Sequence, residues 1–213
     1  MKKIDQPKLT TELPNRSLKE VLKEDSLIES CLLQDERMED VPYEKMVFDS
    51  VAFRNVTFED IRFERVEFVD CTFDQCDFSN TEFGDAVFRR VEVKNSKLVG
   101  CNFTESQMQH VVFEECLGNY ANFSFSEMKT SCFKRVSFIQ ADFYEVTMDN
   151  VQFLDCELDS CNFAETDLNG IDLSTSAYES ISLTVEKLGG CIVSEQQALS
   201  IAKSLGLVIS DKK

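Results

Sequence analysis

Nine cysteines, one histidine and 39 acidic side chains are the groups in this 213-residue chain with chemistry to offer. Thiols can form disulfides, ligate zinc or act as nucleophiles, and each role demands a particular spacing. Cys71 and Cys76, like Cys156 and Cys161, are separated by four residues, a weak zinc signature. His110 has no second histidine with which to build a triad or a metal site, and seven glycines supply no phosphate-binding loop. No catalytic residue, no metal and no cofactor is therefore expected, and the chain reads as a non-enzyme. What remains is the carboxylates. Against 22 basic residues they leave a net charge of −17 and a pI near 4.4. Such a surface makes nucleic acid a poor direct partner and a basic protein a good one, although charge can also serve solubility alone.

The elements that must position these groups follow one beat. A large apolar residue falls on every fifth position, through Phe48, Phe53, Phe58, Phe63 and onward to Phe163, Leu168 and Leu173. Of the 18 phenylalanines only Phe125 is off the beat. Two places before each beat lies a small or β-branched residue, such as Val51, Val56, Ile61 or Ala86, and every cysteine except Cys132 stands in that column. Cysteine there is a compact hydrophobe filling space. A period of five fits neither a helix nor a half-buried strand. It points to a solenoid whose coils bury their apolar side chains only by stacking, with two inward residues per five and a turn after each short extended segment. Four segments per coil give a square section. His110 faces outward and is expected to be solvated.

Units such as Cys161-Asn162-Phe163-Ala164-Glu165 and Ala141-Asp142-Phe143-Tyr144-Glu145 resemble those of pentapeptide-repeat proteins. The resemblance implies an all-β solenoid, a right-handed quadrilateral β-helix of pentapeptide repeats with 20 residues per coil and about eight coils. Residues 1–25 are expected to cap the first coil, with a short helix starting at Ser17-Leu18-Lys19-Glu20. Residues 26–185 form the β-helix, 26–45 being an imperfect first coil disturbed by Glu36 and Pro42. Residues 186–213 form a capping or dimerisation segment. The beat skips once, at Gly118. Leu117 or Tyr120 is expected to swing into the gap, and a bulge or mid-rod kink is the structural reading. Phe125 is either a contact residue or a patch against that kink.

In the last segment Cys191-Ile192-Val193 reads as a strand. Ser194 and Gln197 read as the capping box of a helix stopped by Gly206, and Leu207-Val208-Ile209 as a second strand. Ala198, Leu199, Ile201, Ala202 and Leu205 make the helix too small to stand alone. It covers the last coil, meets a second copy, or does both. Gln197-Ala198-Leu199 with Leu205-Gly206-Leu207-Val208-Ile209 is similar to the C-terminal dimerisation segment of quinolone-resistance (Qnr-type) pentapeptide proteins, in particular their loopless chromosomal subgroup. That resemblance implies a homodimer joined through Ile192, Ala198, Leu199, Ile201, Ala202, Leu205, Leu207 and Ile209. It also implies a rod that imitates DNA on DNA gyrase or topoisomerase IV and so protects them from quinolones.

The charge allows it. Between 46 and 185 a net of −15 spread over seven coils is roughly one charge per 2.2 Å, against about 1.7 Å in duplex DNA. Two of the four sides together hold 13 acids against Arg62, Arg65 and Lys97, while the other two hold 12 against seven bases. The acidic pair carries the candidate contacts Glu59, Asp60, Asp77, Glu82, Asp85, Glu105, Asp142, Glu145, Glu157, Asp159 and Glu165. A structural or adaptor module for another basic protein is the alternative. The start, Met1 to Pro7, has no apolar core like that of a signal peptide, and no run approaches a membrane span, so a cytoplasmic protein is expected.

Overall fold

The computed structural model describes residues 3–24, 26–38, 43–58 and 60–210. It is a β-solenoid of about eight turns with a short helix at its C-terminal end. Every strand pairing is parallel and offset by 20 residues: Leu27 with Val47, Glu67 with Val87, Val87 with Gln107, Cys132 with Gln152, Cys161 with Ile181. A coil is thus four five-residue sides. The first side is centred on Phe48, Phe68 and Phe88, the second on Phe53, Phe73 and Val93. The third is centred on Phe58, Phe78 and Leu98, the fourth on Phe63, Phe83 and Phe103.

The rings stack across coils because the offset is constant. On the fourth side Phe63, Phe83, Phe103, Phe123, Phe143 and Phe163 lie ring over ring, with centroids 4.8–5.3 Å apart and planes within 11° of parallel. Neighbouring sides meet edge to face, as Phe63 does with Phe68 at 81°. Both geometries suit the ring quadrupole and add to area burial of roughly 2–3 kcal/mol per phenylalanine.

Each corner is made by one residue in the left-handed region. Every residue numbered by a multiple of five from Asp60 to Glu165 has φ between 51° and 66°. Gly100 is among them, but so are Tyr120, Phe125 and Thr130, for which this backbone is strained. The ladder enforces it. The corner N–H donates to the next coil, as Ser50 does to the Val69 carbonyl (2.9 Å) and Asp60 to that of Ser79 (3.0 Å). The two pairs of sides leave their corners differently. The first and second run as strands through their shared corner, at Glu67–Asp74, Val87–Lys94 and Gln107–Glu114. The third and fourth close with tight turns, the N–H of Thr81 donating to the Phe78 carbonyl (2.9 Å) and that of Ala86 to Phe83 (3.1 Å).

Gly118 causes no bulge. Its N–H donates to Ser137 O at 2.7 Å, and the pairings Lys97 with Leu117 and Leu117 with Ser137 continue through it. Neither Leu117 nor Tyr120 turns inward. The gap is taken by Phe138 from the next coil, whose Cε1 would lie 2.5 Å from a β-carbon built on Gly118. A ring reaching over from above fills the space with no change in register.

The N-terminus does more than cap. Helix α1 (Leu18–Glu24) buries Leu18 and Val21 on the first coil, and the Glu36 carboxylate accepts from the Leu18 N–H (2.7 Å). This explains a carboxylate in a column of small residues: it satisfies a helix N-terminus. Val41 and Pro42 lie outside the described residues. Ahead of α1, however, the chain runs lengthwise along the corner between the first two sides. The Asp5 N–H donates to His110 Nδ1 (3.1 Å), the Lys8 N–H to Asp70 (2.9 Å), and Leu32 donates to Pro14 O (2.9 Å). Three extended residues span about 10 Å, which matches two coil spacings of about 4.8 Å. His110 is therefore half-buried beneath this strap, not free in solvent.

At the other end the 20-residue pairing continues as far as Asp172 with Ile192. That single bridge replaces the expected strand at Cys191–Val193, and Leu207–Ile209 forms no strand either, because neither stretch has an extended ladder to join. Helix α2 (Glu195–Ser204) has the expected capping box of Ser194 and Gln197. It ends at Gly206 (φ 81°), with the Leu207 N–H donating to Ala202 O at 3.1 Å.

Replacing Gly118 with Ala should cost about 1–3 kcal/mol in urea unfolding, since the Phe138 ring must move. Adding Phe138→Leu should return part of that loss, and two strictly additive effects would contradict the close contact.

Candidate functional site

The cysteine column has a use beyond size. Cys101 Sγ donates to Phe78 O (2.7 Å) and Cys161 Sγ to Phe138 O (2.8 Å), each 23 residues earlier. Thr81 Oγ1 does the same to Phe58 O (2.8 Å) and Thr166 to Phe143 O (2.5 Å). Ser96 and Ser176 also accept from the N–H groups of Cys76 and Cys156. A small side chain with one donor thus serves the interior carbonyls, which is why Ser, Thr and Cys interchange there. All nine thiols are free, and all but the half-buried Cys191 are buried. Burial pushes Cys76 and Cys161 up to about 12 and Cys116 and Cys156 to about 11. Such thiols are inert. Among the described residues no three His, Cys, Asp or Glu side chains converge as a metal site would need.

The carboxylates of the third and fourth sides divide by what holds them. In the turns, Asp77 and Asp142 accept from the N–H two residues on, Ser79 (3.0 Å) and Tyr144 (3.0 Å), as Asn102, Asn122 and Asn162 do in other coils. The Asn/Asp position is therefore an Asx turn repeated down the rod. Burial would raise the Asp77 carboxyl, but hydrogen bonds from Ser79 and Lys97 outweigh it and hold it below the usual range. Asp159 is lowered by the N–H groups of Ser180 and Glu179. Glu82 and Asp142 accept from Asn102 (2.8 Å) and Asn162 (3.0 Å), Glu157 from Ser137 (2.7 Å), and Glu165 from Thr184 (3.1 Å). Asp85, Glu105, Glu145 and Glu165 occupy one corner column, and Asp60 begins the neighbouring one. Glu59 lies outside the described residues.

Ion pairing is unequal between the sides. Among the described residues, pairs gather on the first and second sides: Arg90 with Asp70, Lys94 with Glu92 and Glu114, Lys134 and Arg135 with Glu114, and Arg135 with Glu115. The acidic pair of sides has Lys97 with Asp77 (3.0 Å). With three basic residues against 13 carboxylates, this pair of sides keeps a large negative excess.

The C-terminal segment is fastened by polar groups, not by its apolar stripe. Gln197 is buried, and its Nε2 donates to Leu173 O (2.9 Å) and Ser176 O (2.7 Å) while its Oε1 accepts from the Ser194 N–H (2.8 Å). Ser200 donates to Glu179 O. Ile201 and Ala202 are half-buried, and Ile192, Ala198, Leu199, Leu205, Leu207 and Ile209 remain exposed. The sequence pattern assigned Gln197 only its capping role, since nothing marks which carbonyls the fold brings to it.

A parallel solenoid of five-residue sides, four to a coil, defines the class of fold. The profile described as "Pentapeptide repeat region" matches residues 66–137, and "Pentapeptide repeats (8 copies)" matches 137–174. Together they span just over half of the chain, which belongs to the pentapeptide-repeat family. A similar curated protein is the uncharacterized protein YisX of Bacillus subtilis (strain 168), 37% identical over 124 residues. That match covers 58% of this chain and 58% of YisX, less than two thirds of the relative's length. Similar solved structures include trypsin-treated QnrB1, a plasmid-mediated fluoroquinolone resistance protein. It is 17% identical, with 84% of this chain and 98% of that one covered and a TM-score of 0.39. Another is HetL, involved in heterocyst differentiation regulation in Nostoc sp. strain PCC 7120. It is 10% identical over 79% of this chain and 85% of that one, with a TM-score of 0.41. Likenesses of this size concern the fold alone. No described helix is long and apolar enough to cross a membrane.

Native thiols should resist a disulfide reagent at pH 8, apart from slow labelling at Cys191, while unfolded protein should titrate all nine. Because the folded pKa values lie above the ordinary 9.0, their stabilising effect is complete below pH 9 and is lost as pH rises toward 11–12. Urea midpoints measured across that range should fall.

Proposed function

We propose that this protein is a cytoplasmic binding protein, not an enzyme. It presents its third and fourth sides to the DNA-binding surface of a type II topoisomerase, DNA gyrase or topoisomerase IV, and thereby lessens inhibition by quinolones. The observation that carries this reading is the negative excess of those two sides. Asp85 with Glu105, and Glu145 with Glu165, stand one coil apart in a single corner column, and the rod's net charge per unit length is of the same order as that of duplex DNA. Like charges at about 4.8 Å repel, so an arrangement selected only for stability would mix signs, as the first two sides do. The similarity of the C-terminal segment to the Qnr-type dimerisation segment supports the same reading. The exposed Ile192, Leu199, Leu205, Leu207 and Ile209 are then covered by the same residues of a second copy, so that two rods join end to end and lengthen the acidic surface.

The purified protein should restore supercoiling by gyrase in the presence of a fluoroquinolone. Duplex DNA should compete with it for the enzyme, and added salt should weaken the contact. Combining Glu82→Gln, Glu105→Gln and Asp142→Asn removes charge while keeping the Asx turn, and should weaken binding about tenfold or more, near 1.4 kcal/mol. Absence of binding to both enzymes would remove the proposal.

Leu205→Asp or Ile201→Asp should give monomers by light scattering, because an apolar contact would gain an unpaired charge. Variants that stay dimeric would restrict α2 to capping the last coil.

A further inference from the structure

Between Leu27 and Val185, the large apolar side chains exposed on the described rod are Leu117, Tyr120 and Phe125, at 50%, 59% and 49%. All three belong to one coil and to the acidic pair of sides. Each breaks its column. The residues one coil before and after Leu117 are Lys97 and Ser137, those around Tyr120 are Gly100 and Gln140, and those around Phe125 are Glu105 and Glu145. Phe125 packs edge-on against Tyr144 of the next coil, with centroids 5.5 Å apart, which extends the patch along the fourth side. Folding of the rod does not account for these residues. The cavity at Gly118 is closed by Phe138, so Leu117 and Tyr120 fill nothing. The left-handed corners at Tyr120 (φ 62°) and Phe125 (φ 61°) disfavour bulky side chains.

We infer that Leu117, Tyr120, Phe125 and Tyr144 form an apolar anchor, flanked at Phe125 by Glu105 and Glu145, which docks on apolar side chains lying within a basic groove of a partner protein. Charge selects this occupant. Glu105 and Glu145 on either side of Phe125 repel nucleic acid and anionic lipid. A second copy laid side by side would bring acidic sides against acidic sides. A protein groove lined by Lys and Arg with an apolar centre complements both features, and a dry centre with a charged rim is the usual anatomy of a strong contact. The inference rests on the proposed topoisomerase reading and adds to it. The carboxylates make the rod resemble DNA, while the anchor gives the complex a component that duplex DNA lacks and that salt does not screen.

The test measures binding of purified gyrase and purified topoisomerase IV at low and high salt, with the full-length protein. Leu117→Ser, Tyr120→Gln and Phe125→Gln combined should leave the melting temperature near that of the wild type, since the side chains point outward. Affinity should fall about tenfold or more at both salt concentrations, with the salt dependence unchanged. Glu105→Gln with Glu145→Gln should instead flatten the salt dependence. If the wild type binds and the triple variant binds equally well, the anchor is refuted and the topoisomerase reading stands. If the wild type binds neither enzyme, both fall. A change in the triple variant's oligomeric mass would assign the patch to a second copy and overturn the inference.

Discussion

Everything in this molecule depends on one coil being unable to bury its own side chains. A coil of 20 residues encloses four large apolar groups whose upper and lower surfaces are covered only by the coils before and after it. The fixed offset brings ring onto ring, as from Phe63 to Phe163, and fixes every hydrogen bond between coils at the same time. This removes most of the freedom to alter the interior. An empty position such as Gly118 must be answered by a neighbour in the same stack, and Phe138 answers it.

The second consequence concerns the backbone. A corner every five residues requires left-handed φ at intervals too frequent for seven glycines to supply. The strain at each corner is offset by ladder hydrogen bonds on both sides of it, by Asx turns on the third and fourth sides, and by thiol or hydroxyl donors within. Side chains whose types suggest chemistry are thus occupied with structure. The cysteines serve interior carbonyls, and Asp77 and Asp142 hold turns while also contributing charge.

With the interior so constrained, the outward positions carry the individuality of the chain. Two sides have much of their charge compensated by ion pairs and are partly covered by the N-terminal strap, which reaches His110 and Asp70. The other two are left acidic, with one apolar coil in their middle. In the proposed reading, their length and sign fit an extended basic groove, and the exposed apolar residues at the α2 end are covered by another rod.

The five-residue beat was enough to determine the solenoid, the stacked core, the buried cysteine column and the sorting of charge by side, because each comes from a constant period. So was the capping box of α2, a local motif spanning Ser194 to Gln197. Other features were decided only by the tertiary structure, since they join residues that no local pattern relates. The Asp5 N–H meets His110 through a strap folded back along the rod, and Glu36 meets the start of α1. Gln197 reaches carbonyls more than 20 residues away. Which side chain fills the space at Gly118 was likewise decided by the neighbouring coil, because the competition between Leu117, Tyr120 and Phe138 is settled by distance across the ladder and not by order along the chain.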